Sequence, residues 1–352
     1  MKFDFAIGNP PYQETQEGTS DNPIYNCFMD AAYGIAEKVE LITPARFLFK
    51  AGKTPKTWNE KMLEDEHLKV SYYEQDSSKV FSNTDIKGGI AVTYRDKSKI
   101  FGAIDTFTQY SALNNILAKV KGKMKGAISD IVYSPESYKF TNLMYEEHPE
   151  ILEKKINVNG KEMPLISKGH EKDLTSNIFD KLSQIVFFQD MPDDGEEYVE
   201  ISGRKKNVRT NMWILKKYIA KHENLDAYKL FFPKANGSGK FGEPISSAII
   251  GLPEVGHTQT FISIGKFETK NEVIALNKYI YGKFARAMLG VLKVTQDNKK
   301  LVWKYVPLQD FTNKSDIDWS VSIANIDRQL YKKYGLSENE ISFIEANVKE
   351  ME

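Results

Sequence analysis

The sequence predicts an α/β protein in two parts, and three observations carry the prediction. Over about the first hundred residues, apolar strand-like runs alternate with helical spacing, which argues a sheet with helices packed on it. The run Phe3–Gly8 passes directly into the stiff polar turn Asn9-Pro10-Pro11-Tyr12, as a strand does when it ends in a ligand-facing loop. From about residue 126 the rhythm changes to aromatic-rich stretches, turns and short strands with no βαβ repeat. A length of 352 residues fits about two domains at roughly 100–200 residues each. The expected division is 1–115 and 116–352.

In order, Phe3–Gly8 reads as a short buried strand and residues 9–12 as its C-terminal turn. Residues 13–23 are polar, with Gly18 and Pro23, and read as a loop able to move over a site. Residues 24–37 have helical spacing, with Ile24, Phe28, Ala31, Ala32 and Ile35 on one face. A strand over 39–42 closes at Thr43-Pro44, and a helix lies near 58–65. Strands follow at 68–73 and, opened by Gly88-Gly89, at 90–94. A loop rather than a helix separates these two, so they should run antiparallel in a mixed sheet, within a three-layer α/β unit. Ligands of open α/β sheets sit beyond the C-terminal strand ends, where Asn9 and Thr43-Pro44 fall.

Residues 101–125 form a connector with one helix near Ser111–Lys121. Further on, 210–222 has the apolar set of a helix (Met212, Ile214, Leu215, Tyr218, Ile219), and 246–251 and 260–264 read as strands. Residues 272–292 form an amphipathic helical region interrupted at Gly282 and Gly290. A last helix starts after Ser337, with Glu340 as its capping-box partner.

Composition excludes several classes. The only cysteine, Cys27, rules out an intrachain disulfide, and no signal peptide is evident, so a cytoplasmic setting is expected. No apolar run reaches 18 residues, which argues against a membrane span. His67, His148, His170, His222 and His257 are scattered singly, so no metal site is expected. Formal net charge is zero, but residues 201–245 hold ten Lys/Arg against three acids (Glu223, Asp226, Glu243). Such a local basic surface is a phosphate footprint or a solvated face balanced elsewhere.

The chemistry sits in the turn at 9–12. An exocyclic amine on adenine is a poor nucleophile because its lone pair is delocalised into the ring. A catalyst must accept hydrogen bonds from both of its N–H groups. The Asn9 side-chain carbonyl and the Pro10 main-chain carbonyl can do so, and consecutive prolines fix φ and preorganise them. Tyr12 can stack on the base. No general base is needed, since the proton can leave to water. The competing reading is an ordinary Pro-rich turn after a strand.

With these residues in view, the chain resembles the Eco57I-like, gamma-order DNA adenine-N6 methyltransferases of type II restriction-modification systems. The resemblance rests on Asn9-Pro10-Pro11-Tyr12, the following helix, Leu41-Ile42-Thr43-Pro44-Ala45-Arg46-Phe47-Leu48, Val80-Phe81 and Gly89-Ile90-Ala91-Val92-Thr93-Tyr94. In the second half it rests on Val302-Trp303-Lys304-Tyr305-Val306-Pro307-Leu308-Gln309-Asp310-Phe311, Asp318-Trp319 and 326–337. It implies base flipping, with Asn9, Pro10, Tyr12 and Phe81 as catalytic residues and the adenine held between Tyr12 and Phe81. It also implies S-adenosyl-L-methionine as cofactor, touched by Asn9 and Pro11.

The implied fold is the C-terminal half of a Rossmann-like methyltransferase sheet (1–115), followed by an α+β target-recognition domain (116–352). The family places its donor-binding strands before the Asn-Pro-Pro-Tyr turn, and here the matching residues begin at the fourth strand. The main donor-binding elements are therefore expected outside this chain. The Phe3–Gly8 edge should then pair with the missing N-terminal half or with another copy.

Double-stranded DNA is the expected substrate. Lys205, Lys206, Arg209, Lys234 and Lys240 are candidates for backbone contacts. Asn207, Asn211, Asn236 and Ser238 are candidates for base edges. Lys283 and Arg286 share helical spacing with Lys278 and are candidates for the same cleft, although Lys278 reads better as solvated surface. Gly237-Ser238-Gly239 reads as a DNA-facing loop, and Trp303 and Tyr305 as core. The alternative function is a non-catalytic DNA-binding module. Glu153-Lys154-Lys155 lacks the partner acid of a nuclease centre.

Overall fold

A computed structural model describes residues 3–14, 22–82, 84–86, 88–158 and 161–351. Most of the anticipated loop at 13–23 lies outside the described residues. The chain divides into two compact units, Met1–Asn114 and Asn115–Glu352.

The first unit is α/β. Strand β1 (Phe3–Gly8) leads through a two-stranded ribbon, β2 (Gln13–Glu14) and β3 (Asn22–Pro23), to helix α1 (Tyr25–Ile35). Strand β4 (Ala36–Pro44) follows α1 without a loop, and helix α2 (Lys56–Glu64), strand β5 (Leu68–Glu74) and strand β6 (Ile90–Asp96) complete the unit. The sheet order is β1-β4-β6-β5. β1 and β4 are parallel, whereas β6 is antiparallel to both β4 and β5. The sheet is mixed, as the loop between the last two strands requires.

Alternation decides which face is covered. Ala6, Val39, Leu41 and Ala91 share one core with Tyr25 and Met29 of α1 and with Trp58, Met62 and Leu63 of α2. Both helices therefore lie on one face, and a second helical layer is not among the described residues. Phe3, Phe5 and Ile7 point to the other face and are 46%, 60% and 77% exposed. The expectation of a buried first strand is corrected: β1 has one neighbour among the described residues and lies at the sheet edge. The apolar face expected for α1 is also corrected. Tyr25 and Met29 point inward, while Phe28 and Ile35 are exposed. Two apolar stripes compete on this helix, and the bulky Tyr25 closes against Phe47 and Trp58 at 6.3 and 6.0 Å between ring centroids.

The second unit begins within α3 (Ser111–Lys121) and holds two sheets and a helical layer. Its short elements are β7 (Val132–Tyr133), α4 (Asn142–Glu147), α5 (Glu150–Glu153), the hairpin β8 (Lys155–Val158) with β9 (Lys161–Pro164), and α6 (Ile178–Leu182). Next come β10 (Tyr198–Lys205) and β11 (Val208–Leu215), paired antiparallel over their whole length. The helix expected over 210–222 is corrected to strand β11 and a short 3-10 turn. Met212 and Ile214 are buried while Asn211 is exposed and Trp213 and Leu215 are half-buried, which is a strand period. Lys206 and Asn207 both take positive φ (48° and 63°), the two-residue turn that fits strand twist.

Strands β12 (Tyr228–Pro233), β13 (Ile249–Gly251), β14 (Val255–His257) and β15 (Phe261–Phe267) complete the sheets β11-β10-β14 and β13-β12-β15-β7. Helices α7 (Lys270–Tyr281) and α8 (Lys283–Leu289) break at Gly282, and α9 (Ile323–Tyr334) and α10 (Glu338–Asn347) follow. Ser337 N–H donates to the Glu340 carboxylate at 2.7 Å, as the capping box requires. Trp303 and Tyr305 are buried.

Two buried bases give this unit a pH dependence. Lys229 on β12 is fully buried, and its ammonium donates to the Leu225 and Leu252 carbonyls, each at 2.8 Å. Burial pushes it down to about 7, against the pull of Asp226. His257 is fully buried beside Tyr138 and Phe231, and burial pushes it down to about 3. Both groups take a proton more readily in the unfolded chain. Folded stability is therefore lost as pH falls from 10.5 toward about 7 for Lys229, and from 6.5 toward about 3 for His257. Urea unfolding between pH 7.5 and 9.5 should show wild-type stability rising with pH and Lys229→Met flattening that rise. An equal slope in the variant would assign the effect to another group.

Candidate functional site

Four chain segments converge at one end of the first sheet. β1 and β4 are parallel, so residue 9 and residue 44 leave the sheet on the same side. Ile90, at the start of β6, pairs with both Pro44 and Glu74, which brings the 85–89 loop to that side too. A cavity of about 850 Å³ opens there, within the roughly 300–1,000 Å³ of small-molecule sites. It is lined by Asn9, Pro10, Pro11 and Tyr12, by Pro44 and Arg46 after β4, and by Asp85 and Ile86.

Local sequence fixes this geometry. Ile24 N–H donates to the Tyr12 carbonyl at 3.1 Å, tying the turn to the start of α1. Gly89, at φ +80°, lets the chain entering β6 pass close to the end of β5. A Cβ there would meet the Glu74 carbonyl oxygen at 2.3 Å. Its own carbonyl accepts from Ala45 N–H at 2.9 Å, which links the 85–89 loop to the end of β4.

Asn9 and Pro11 are exposed, and Pro10 and Tyr12 are half-buried. The Tyr12 hydroxyl is buried without a hydrogen-bond partner, and burial raises its pKa. Tyr25 is pushed up to about 12 by burial. Neither phenol can act as a base near neutral pH. Tyr12 lines the cavity with its hydroxyl buried. Phe81 is half-buried on the loop that leads to Asp85, and it is not among the cavity-lining residues. Arg46, Lys53, Asp85 and Tyr25, which do line the cavity, were missed by the sequence reading. The positions of Arg46 and Tyr25 beside Pro44 and the start of α1 were the available signal.

The donor implied by the resemblance can be tested against this cavity. Its cradle requires a glycine turn directly after a strand and an acid placed for ribose hydroxyls. The cavity offers Gly52, which follows a 3-10 turn, and one carboxylate, Asp85, which is exposed. The described residues that line the cavity do not by themselves form a donor cradle. No group of three or more His, Cys, Asp or Glu is placed to hold a metal among the described residues. Among them, too, no helix is long and apolar enough to cross a membrane.

The basic candidates of the second unit fall into three places. Lys205, Lys206, Asn207, Arg209 and Asn211 sit on the β10–β11 ribbon. Lys234, Asn236, Ser238 and Lys240 lie in the loop after β12. There Asn236 Oδ1 accepts from Asn298 at 2.5 Å, and the Ser238 and Gly239 N–H groups close on the Glu243 carboxylate. On the helices, Lys283 pairs with Glu345 at 2.6 Å. Arg286 is buried, with its guanidinium on the Tyr281 and Lys349 carbonyls, and together with Lys283 it lines a cavity of about 670 Å³. Lys278, expected to be solvated, donates to the carbonyls of Trp319, Ser320 and Val321.

Residues 1–81 match the family model described as Eco57I restriction-modification methylase. Over 95 residues the chain is 33% identical to an uncharacterized adenine-specific methylase of Mycoplasma pneumoniae, covering 26% of this chain and 22% of that protein. The chain thus spans less than a quarter of that relative's length. A structural likeness to the type IIG restriction endonuclease BpuSI covers 93% of this chain and 48% of that one, at 11% identity and a TM-score of 0.31. At that score it does not establish a shared fold. The chain is therefore similar in part to restriction-modification methylases.

Proposed function

We propose that this chain supplies the amine-holding side of a DNA adenine-N6 methyltransferase of a restriction-modification system. The observation that carries this reading is the Asn9-Pro10-Pro11-Tyr12 turn at the strand end, facing an 850 Å³ cavity and lying within the matched residues 1–81. Asn9 Oδ1 and the Pro10 carbonyl accept from the two amine hydrogens and raise electron density on nitrogen. The proline pair keeps both acceptors in place. The Tyr12 ring stacks on the extruded base, and Phe81 closes on its other face when DNA is bound. S-adenosyl-L-methionine is the proposed donor. Its cradle is completed by strands docked on the free edge of β1, whose exposed Phe3, Phe5 and Ile7 would be buried by them. The second unit, through its basic ribbon, binds duplex DNA.

The incomplete donor cradle favours one other reading, a DNA-binding module without its own methyl transfer. Incubation of the chain, with the donor-binding strands restored, with S-adenosyl-L-methionine and duplex DNA, followed by mass-spectrometric detection of N6-methyladenine, separates the two. Because the Tyr12 hydroxyl has no partner, Tyr12→Phe should keep methylation within about twofold. Tyr12→Ala should lower it roughly 5- to 150-fold, the span of one base–aromatic stack. A large loss in Tyr12→Phe would show that the hydroxyl acts in the reaction. No N6-methyladenine with retained DNA binding would favour the module.

A further inference from the structure

The β10–β11 ribbon separates its two faces by alternation. Val199, Ile201, Met212 and Ile214 point into the core. Glu200, Ser202, Arg204, Arg209, Asn211 and Trp213 share the opposite face, paired across the ribbon as Glu200 with Trp213, Ser202 with Asn211, and Arg204 with Arg209. A groove of about 580 Å³ lies on this face, and Gln189, Glu200, Ser202, Arg209 and Asn211 line it with Phe261. Gln189 is exposed and enters because Phe188 bridges to Trp213, which runs its strand beside β11.

The side chains are held for use. The Ser202 hydroxyl, on a residue only 2% exposed, donates to Asn211 Oδ1 at 3.0 Å, which fixes the amide and leaves its NH₂ outward. The Arg209 guanidinium lies over the Phe261 ring at 5.7 Å and donates to the Ser247 carbonyl at 3.4 Å. Both Arg209 and Asn211 remain exposed. Arg204, Lys205, Lys206 and Arg209 crowd the tip around the tight turn. Eight residues in each strand span about 27 Å, at about 3.4 Å per residue.

We propose that this face of the ribbon reads base edges in the major groove of duplex DNA, with Arg209, Asn211 and Gln189 as reading side chains and Lys206 as a phosphate contact. The inference rests on the DNA reading above and deepens it. A B-form major groove admits a two-stranded ribbon, and beyond Ser202, where the pairing with β14 ends, the hairpin is two-stranded out to its tip; the A-form groove of RNA is too deep and narrow for side chains to read. An arginine pairs with the O6 and N7 edge of guanine, and side-chain amides match the N6 and N7 edge of adenine. The groove thus takes a short purine-containing sequence.

The test is selection of bound sequences by the full chain from a randomised duplex library, followed by affinity measurement at several salt concentrations. Wild type should enrich a sequence. Arg209→Ala and Asn211→Ala should each relax one position, cutting discrimination there roughly 5- to 150-fold. Ser202→Ala should weaken discrimination only at the Asn211 position, and Ser202→Thr should restore it. Lys206→Ala should weaken all sequences alike and lower the salt slope by about one, with the preference unchanged. An enriched sequence that Arg209→Ala and Asn211→Ala both retain would overturn this assignment while leaving DNA as the substrate. Absence of duplex binding at low salt, or tighter binding to RNA, would overturn the DNA reading itself and the base-reading role with it.

Discussion

Asn9→Ala should lower the rate of N6-methyladenine formation by about 10²–10³-fold, the loss typical of removing one preorganised polar group aimed at developing charge. The residue is exposed at the end of β1, and its side chain appears in no hydrogen bond of the described fold, so stability should barely change. Duplex affinity should stay within about twofold, since the proposed phosphate contacts lie in the second unit. Asn9→Asp separates geometry from charge: it keeps an acceptor at the same place and should retain part of the rate. Where turnover is too slow to follow, fluorescence of 2-aminopurine at the target base gives a second readout. Asn9→Ala should leave extrusion intact, while Tyr12→Ala should reduce it. Equal methylation by wild type and Asn9→Ala would remove the amine-holding role from this turn.

The fold of the first unit was largely legible because Pro and Gly punctuate several of its strands. Thr43-Pro44 and Gly88-Gly89 mark the strand ends, and the structure shows the reason at Gly89, where any Cβ would strike the Glu74 carbonyl. The face of α1 was not legible. Both Tyr25/Met29 and Phe28/Ile35 are plausible inward stripes, and only the Phe47 and Trp58 rings, distant in sequence, decide between them. β11 was misread as a helix because Met212, Ile214, Leu215, Tyr218 and Ile219 match both periods over a short window. The decisive signal was the pair Lys206-Asn207, whose positive φ makes a hairpin turn, and neither residue is glycine. At the candidate site the turn at 9–12 was legible as a strand-end turn, and it lines the cavity. Arg46, Lys53 and Asp85 were not, since their approach depends on how the ends of β4 and β6 pair.

The second large effect is on assembly. A bare edge strand presents unpaired N–H and C=O groups, and proteins usually blunt such an edge with charge, Pro or a covering element. On β1 the outward face instead carries Phe3, Phe5 and Ile7, with Lys38 over the Phe5 ring at 5.0 Å as the one neighbouring cation recorded there. Burying Ile7 and Phe5 in a paired edge is worth about 1.5–3 kcal/mol for each side chain, before the cost of association. Together with the ladder hydrogen bonds that an edge strand offers a partner, this favours pairing. The isolated chain should therefore self-associate through β1, a second copy taking the place of the donor-bearing strands. Sedimentation should show a dimer that the double variant Phe5→Lys/Ile7→Lys converts to a monomer. Because both side chains point away from the helices, the variant should keep wild-type circular dichroism and thermal midpoint. Its methylation should fall together with its assembly if completion of the donor site occurs on this edge. A monomeric wild type across micromolar concentrations, with β1 amides exchanging freely, would sink the pairing role of the strand, and a dimer unchanged by the double variant would move the contact to another surface.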